Sequence, residues 1–263
     1  MGLTLTWLSI IVLIPLAGLF LKTFELSLDQ FWDILTSRRT LNALKISFGL
    51  AFLAAIVNLV MGMVIVWVLV RYKFPGRRTF DAIVDIPFAL PTAVAGVALT
   101  ALFAQKGWLG APLYELGIKV AFTPVGIFVA MIFIGFPFVV RTVQPVLIDL
   151  EIEVEEAAAS LGASRWDIIT RVILPSLTPA ILTGFALAFA RAVGEYGSVI
   201  FIAGNLPNVS EIAPLLIVIR LSEFRYADAT AIAVIMLTAS FTIIFAINRI
   251  QRWAQTRGAA IAY

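Results

Sequence analysis

The sequence predicts an all-α membrane protein of six transmembrane helices, with a polar helical hairpin set between the fourth and the fifth. Three observations predict it. The chain is 61% hydrophobic and only 13% charged, with a mean hydropathy of +1.02, whereas a soluble domain carries roughly 25% charged residues. Charge-free stretches recur over 1–21, 46–70, 86–105, 120–140 and 229–248. About 20 apolar residues rising 1.5 Å each cover a hydrocarbon core of about 30 Å. Finally, the stretch 155–175, EEAAASLGASRWDIITRVILP, is polar and helix-prone, yet it sits between two apolar runs.

The elements follow in order. No Lys or Arg precedes Lys22 and no small-x-small site follows the first run, so it reads as helix one rather than as a secretory signal. Helix two, 46–70, contains Asn58, which suits interhelical bonding better than ligand binding. Helix three, 86–105, contains Pro87 and Pro91, then Gly96. Such an interruption is tolerated where packing or a cavity satisfies the freed carbonyls. Thr92 and Thr100 on this helix are candidates to hydrogen-bond an oxyanion, or to bond back to their own helix. Helix four is 120–140. A sixth run, 178–203, is broken only by Arg191 and Glu195 and forms helix five. These two stand four residues apart, close enough to pair on a helix. Arg191 either lines a translocation path, oriented by Glu195, or the two form a structural ion pair. Helix six is 229–248.

An even number of spans puts both termini on one side. The turn 71–80, RYKFPGRRTF, holds four basic residues, and the tail adds Arg249, Arg252 and Arg257. The totals on the two sides differ little, so these two segments carry the positive-inside signal, and they place both termini in the cytoplasm. The loops leave no room for a soluble domain, so residues 1–263 read as one membrane domain. There is no Cys and no His. That removes thiol and imidazole catalysis, disulfides and ordinary zinc or haem ligation. No carboxylate pair lies within any span, which leaves nothing for an intramembrane enzyme to work with. No metal site and no nucleic-acid partner is expected.

The hairpin, about 149–175, can be read from capping rules. Asp149, Glu151, Glu153, Glu155 and Glu156 crowd the front of its first helix, where carboxylates suit the positive end of the dipole. Ala157, Ala158 and Ala159 are strong helix formers. Gly162 stands where a C′ residue of positive φ is needed. Ser164 and Asp167 form a capping box that opens a second helix. Trp166, Ile169 and Ile173 share a face of that helix, and Pro175 and Pro179 end it. The hairpin is either an amphipathic loop lying on the headgroups or a docking surface for another protein, and its acidic front half, which anionic lipid repels, favours docking.

The spacing Glu156-Ala157-Ala158, Gly162, then Val172-Ile173-Leu174-Pro175 resembles the EAA loop of ABC transporter permeases, with Val172 in place of the usual Ile. Further stretches, DIPFALPTAVAG (85–96), PFVVRTVQPVL (137–147), ARAVGEYGSVIFIAGN (190–205) and LSEFRYADATAIA (221–233), are similar to the oxyanion permease family, and within it to the T-type subunits of sulfate/thiosulfate importers. The resemblance implies that the hairpin, through Glu156, Ala157, Ala158, Gly162, Ser164 and Pro175, is the coupling helix that docks on a cytoplasmic ATPase. It implies a dimeric ATP-binding subunit, a second related permease and a periplasmic or extracellular sulfate-binding protein, working by alternating access in a bacterial inner membrane. No G-x-x-x-x-G-K-[ST] occurs in the chain, so ATP and Mg2+ are expected on the partner and no cofactor on this chain. A molybdate or tungstate permease is the alternative, and a secondary anion transporter a more distant one.

Overall fold

The computed structural model describes residues 2–259, and side chains are described up to residue 250 except that of residue 5, so those of Arg252 and Arg257 lie outside it. Among the described residues there are helices and turns but no strand. In chain order the helices are α1 (Gly2–Thr23), α2 (Leu28–Thr36), α3 (Arg38–Arg71), α4 (Arg77–Val84), α5 (Ile86–Ala89), α6 (Thr92–Phe103), α7 (Gly110–Glu115), α8 (Pro124–Asp149), α9 (Ile152–Ser160), α10 (Arg165–Asp167), α11 (Leu174–Val193), α12 (Val199–Ile202), α13 (Ala213–Ser222) and α14 (Tyr226–Ala259). A π-helical turn, Ile168–Ile173, joins α10 to α11.

The core is the mutual packing of α3, α8 and α11. Lipid is as apolar as Leu, so close backbone approach through small residues replaces the hydrophobic drive. On α3 the buried face carries Ala43, Ser47, Ala51, Ala54, Ala55, Asn58 and Gly62. On α11, Ala180, Gly184, Ala188 and Ala192 recur every fourth residue and are buried. Val139 of α8 is where the three helices meet. A Cβ on Gly62 would stand 2.8 Å from its Cγ1, and one on Gly184 would stand 3.1 Å from its Cα. α14 packs on α11 and α13, and α1 packs on α14 with none of its described residues buried.

Five helices among the described residues are long and apolar enough to span: Gly2–Thr23, Arg38–Arg71, Pro124–Asp149, Arg165–Val193 and Tyr226–Ile250. The expected third span departs from this pattern. It divides into α5 and the 12-residue α6, which is about 18 Å long and too short to cross alone. Proline disfavours helical φ/ψ at the residue before it, and Leu90, preceding Pro91, is extended at φ −82°, ψ 130°. The sixth run also breaks, at Gly194, before the short α12. Two further amphipathic helices, α2 and α4, were not expected. Ser27 and Gln30 form a capping box that opens α2. α4 starts after Gly76, at φ +82°.

Pro175 and Pro179 were expected to end the hairpin's second helix, but the helix runs unbroken from Arg165 to Val193. A proline inside a helix removes the bond to the carbonyl four residues back and crowds it. Here the preceding turn widens to π geometry, with the Leu174 N–H donating to the Ile169 carbonyl five residues back. The ring is accommodated without a stop.

Candidate functional site

The hairpin has the local geometry that its capping residues require. Gly162 sits at φ +86°. The Ala163 N–H donates to the Ala158 carbonyl at 3.1 Å and the Gly162 N–H to the Ala159 carbonyl at 3.0 Å. Together these are the two bonds of a Schellman ending. Ser164 Oγ accepts from the Asp167 N–H at 3.2 Å, and Asp167 Oδ2 accepts from the Ser164 N–H at 3.3 Å. Glu156 and Ala157 are exposed, Ala158 is half-buried, and Pro175 is exposed. At the tip, Leu161 is 89% and Trp166 72% exposed, so two large apolar side chains stand on a polar projection. Ile173, expected on the same face as Trp166, is buried against the bundle instead. Its face therefore divides between tip and core.

Two braces hold the base of this projection, and neither was visible in the sequence. Arg71, the last residue of α3, pairs with Glu155 and donates to the Leu150 carbonyl at 3.4 Å. Its guanidinium also stands 6.0 Å from the centroid of the Trp67 ring. One carboxylate of the acidic front half is therefore an interhelical tie as well as a dipole partner. The second brace is Arg141. It lies inside α8. Its Nε and Nη2 donate to the two Asp85 oxygens, each at 2.7 Å, while Nη1 donates to Asp81 Oδ1 and Gln144 Oε1 at 2.7 Å. Gln144 Nε2 also donates to Asp81 Oδ1 at 3.1 Å. Burial pushes the Asp81 carboxyl up, but the bonds from Arg141 and Gln144 outweigh it and hold the group below the usual carboxylate range. Bidentate, charge-assisted bonds of this kind fix geometry as well as adding energy. They tie the α4–α5 link to the helix that leads into the hairpin.

Arg191 and Glu195 do pair, but not along one helix. Arg191 lies in the last turn of α11, Gly194 is the cap, and Glu195 lies beyond it. Only 2% of Glu195 is exposed, and its Oε1 accepts from the Ser198 N–H at 2.8 Å and from the Ser198 hydroxyl at 2.9 Å. The carboxylate is committed to holding the turn that starts α12. The Arg191 side chain keeps 32% of its surface open. α6 lies against this turn: Gly96 packs on the Ser198 backbone and Thr92 on Gly197, too close in each case for a Cβ. The fold thus brings Thr92 to the Arg191–Glu195 turn. Thr100 donates to the Gly96 carbonyl of its own helix at 2.7 Å, which is the self-bonded alternative. Asn58 is buried beside Gly135 of α8, and neither polar atom of its side chain has a hydrogen-bond partner among the described residues. The interhelical bond expected of it is not made. A second buried carboxylate, Glu211, was not anticipated. It accepts two bonds from Arg39, at 2.6 and 2.7 Å, and so holds the segment before α13 on the start of α3. Among the described residues, no group of His, Cys, Asp and Glu is placed to hold a metal ion.

A bundle of long apolar helices that carries one polar projection braced by ion pairs has the form of a multi-pass membrane protein. The chain belongs to the family of binding-protein-dependent transport system inner membrane components, which it matches over residues 58–257. It is 49% identical over 251 residues to the sulfate transport system permease protein CysT of Synechococcus elongatus, covering 95% of this chain and 90% of that one. It is 47% identical over 251 residues to the protein of the same name from Escherichia coli, covering 95% and 91%. The fold is shared with a bacterial ABC transporter involved in the import of the acidic polysaccharide alginate, at a TM-score of 0.79 and 18% identity over 95% of this chain and 92% of that one. It is also shared with the MetNI methionine ABC transporter, at 0.61 and 20% over 87% and 99%.

Proposed function

We propose that this chain is the transmembrane permease subunit of an ATP-driven importer for sulfate, with thiosulfate as a second substrate of the same geometry and charge. Residues 1–263 act as one membrane unit, with both termini in the cytoplasm. A separate ATPase dimer binds ATP and Mg2+, a second related permease completes the pathway, and an external binding protein delivers the anion. The observation that carries the reading is the capped hairpin with Leu161 and Trp166 exposed at its tip, in a chain nearly half identical to proteins named as sulfate permeases.

The mechanism follows from continuity. The hairpin is entered from α8 and left through the unbroken helix Arg165–Val193, which ends at the Arg191–Glu195 turn. Close-packed elements move as units. A displacement of the docked tip therefore reaches the far end of α11, about 40 Å along the helix, where Arg191 pairs with Glu195 and Thr92 packs on Gly197 of the turn that follows. In this reading Glu195 holds the turn, and Arg191 gives a passing dianion a weak electrostatic attraction. The committed carboxylate favours a largely structural part for the pair, which suits a path that must release its anion.

Radiolabelled sulfate uptake tests this in cells lacking their own sulfate permeases and supplied with this chain, its ATPase, the second permease and the binding protein. Uptake should need all four components and should be competed by thiosulfate more strongly than by molybdate. Uptake by this chain alone would make it a secondary transporter, and stronger competition by molybdate would overturn the choice of anion. The chain's natural lack of Cys allows Trp166→Cys to serve as a single label. Its reaction with an impermeant maleimide from the cytoplasmic side only is expected, and labelling from outside would reverse the topology.

A further inference from the structure

The basic turn after α3 and the groove beside it have no part in the coupling just described. The groove has a volume of about 810 Å3, within the roughly 300–1,000 Å3 typical of ligand sites. Val68, Phe80, Ile83, Leu99, Phe133 and Phe136 line it, on α3, α4, α6 and α8, and its remaining lining is equally apolar. Nothing in it could hold a sulfate ion. It is open along one side, and Phe80 and Ile83 are at least half exposed.

The mouth of the groove has the opposite character. After Arg71 the chain folds tightly, the Arg77 N–H donating to the Phe74 carbonyl at 3.4 Å. Phe74 and Phe80 pack edge to face across the turn, with ring centroids 5.9 Å apart. The two rings that line the groove therefore belong to the turn that carries Lys73, Arg77 and Arg78. Lys73 and Arg78 are exposed, and none of the three cations has an ion pair among the described residues. Asp81, whose carboxyl feels the charge of Arg77, is already bonded by Arg141. Because Arg71 is tied to Glu155, the turn lies at the same end of the bundle as the hairpin, which in the topology proposed above is the cytoplasmic leaflet's headgroup region.

We propose that the groove holds an acyl chain of an anionic phospholipid from that leaflet, with Lys73, Arg77 and Arg78 gathered around its phosphate. The occupant must match both halves of the surface. A neutral lipid or an apolar helix of the second permease would fill the groove and leave three cations without counter-charge. An anionic lipid satisfies both, and amphipathic basic segments at a membrane surface recognise such lipids. Seated there, the lipid wedges α4 against α8, next to the Arg141 brace at the base of the hairpin.

The test places the full chain, extracted with its co-purifying subunits, in phosphatidylcholine nanodiscs. The probe is a trace of either phosphatidylglycerol or phosphatidylcholine, each carrying a diazirine in the middle of one acyl chain. After irradiation, the labelled residues are read by peptide mass spectrometry. Each basic residue near a headgroup strengthens attraction roughly fivefold, so phosphatidylglycerol should label Ile83 and Phe133 at least about tenfold more than phosphatidylcholine does. Changing Lys73→Gln, Arg77→Gln and Arg78→Gln together should bring the two lipids level, and excess inorganic phosphate should leave the labelling unchanged. Equal labelling by the two lipids in the unaltered chain would overturn the proposal without recourse to any variant. So would displacement by inorganic phosphate, or the absence of lipid labelling at Ile83 and Phe133.

Discussion

Gly162 carries the sharpest residue-scale expectation. A Cβ there would meet nothing within 4 Å, so a β-branched substitution costs only the left-handed backbone, about 1–2 kcal/mol. Gly162→Val is therefore expected to insert at normal levels while the turn re-angles, weakening recovery of the ATPase in a pull-down and lowering uptake with it. Glu156→Lys, at an exposed site, should do the same through charge. Normal recovery with normal uptake in both would reduce the hairpin to a surface loop. At the other end of α11, Glu195→Gln keeps an acceptor for Ser198 but loses the charge that faces Arg191. Breaking a buried pair costs about 3–5 kcal/mol, but Arg191 is one-third open, so a loss of about 1–3 kcal/mol is expected. Thermal unfolding in detergent reads it directly. Arg191→Lys should keep more uptake than Arg191→Ala if attraction rather than fork geometry matters.

At the scale of elements, the π-turn and the Arg141 brace make separable demands. Pro175→Ala restores a backbone donor to the turn before α11 and lets the wide turn close to α geometry. Removing one extra residue from a helix rotates what precedes it by about 100°, which would swing Trp166 away from its present face. Membrane levels should stay normal while ATPase recovery falls, and unchanged recovery would show that the turn does not set the tip. Arg141→Lys leaves a point charge where a fork served two aspartates. Amide exchange in α4 and α5 should then quicken, with α11 unaffected. The Asp81 carboxyl, held below its ordinary value by Arg141, contributes stability above its unfolded pKa of about 3.9. That contribution is lost as pH falls further, through the lower folded value, so α4 should loosen in acid before the α3–α8–α11 core does.

At the scale of the molecule, the long helices pack into a scaffold from which the hairpin projects. α3, α8 and α11 meet through Gly and Ala at van der Waals range, whereas α4 and α9 are short and tied down by ion pairs to Arg141 and Arg71, and α6 is held by close packing on the turn before α12. Purified alone, the chain is expected neither to bind nor to hydrolyse ATP, checked by equilibrium dialysis with labelled nucleotide. Stoichiometric binding would sink the division of labour proposed here.

What the sequence determined by itself is what depends on neighbours along the chain. Hydropathy over 20 residues located the apolar spans, because insertion into lipid is decided segment by segment. Gly162, Ser164 and Asp167 specified the hairpin's turn and second helix, because caps act within one turn. Tertiary structure alone decided the rest. Whether a proline breaks a helix depends on the turn around it: Leu90–Pro91 breaks the third span, while Pro175 is absorbed by a π-turn. The partners of Arg71, Arg39 and Arg141 lie 84, 172 and 56–60 residues away. Charges so far apart meet only when helix packing fixes their depth and azimuth, and no periodicity in the chain encodes that.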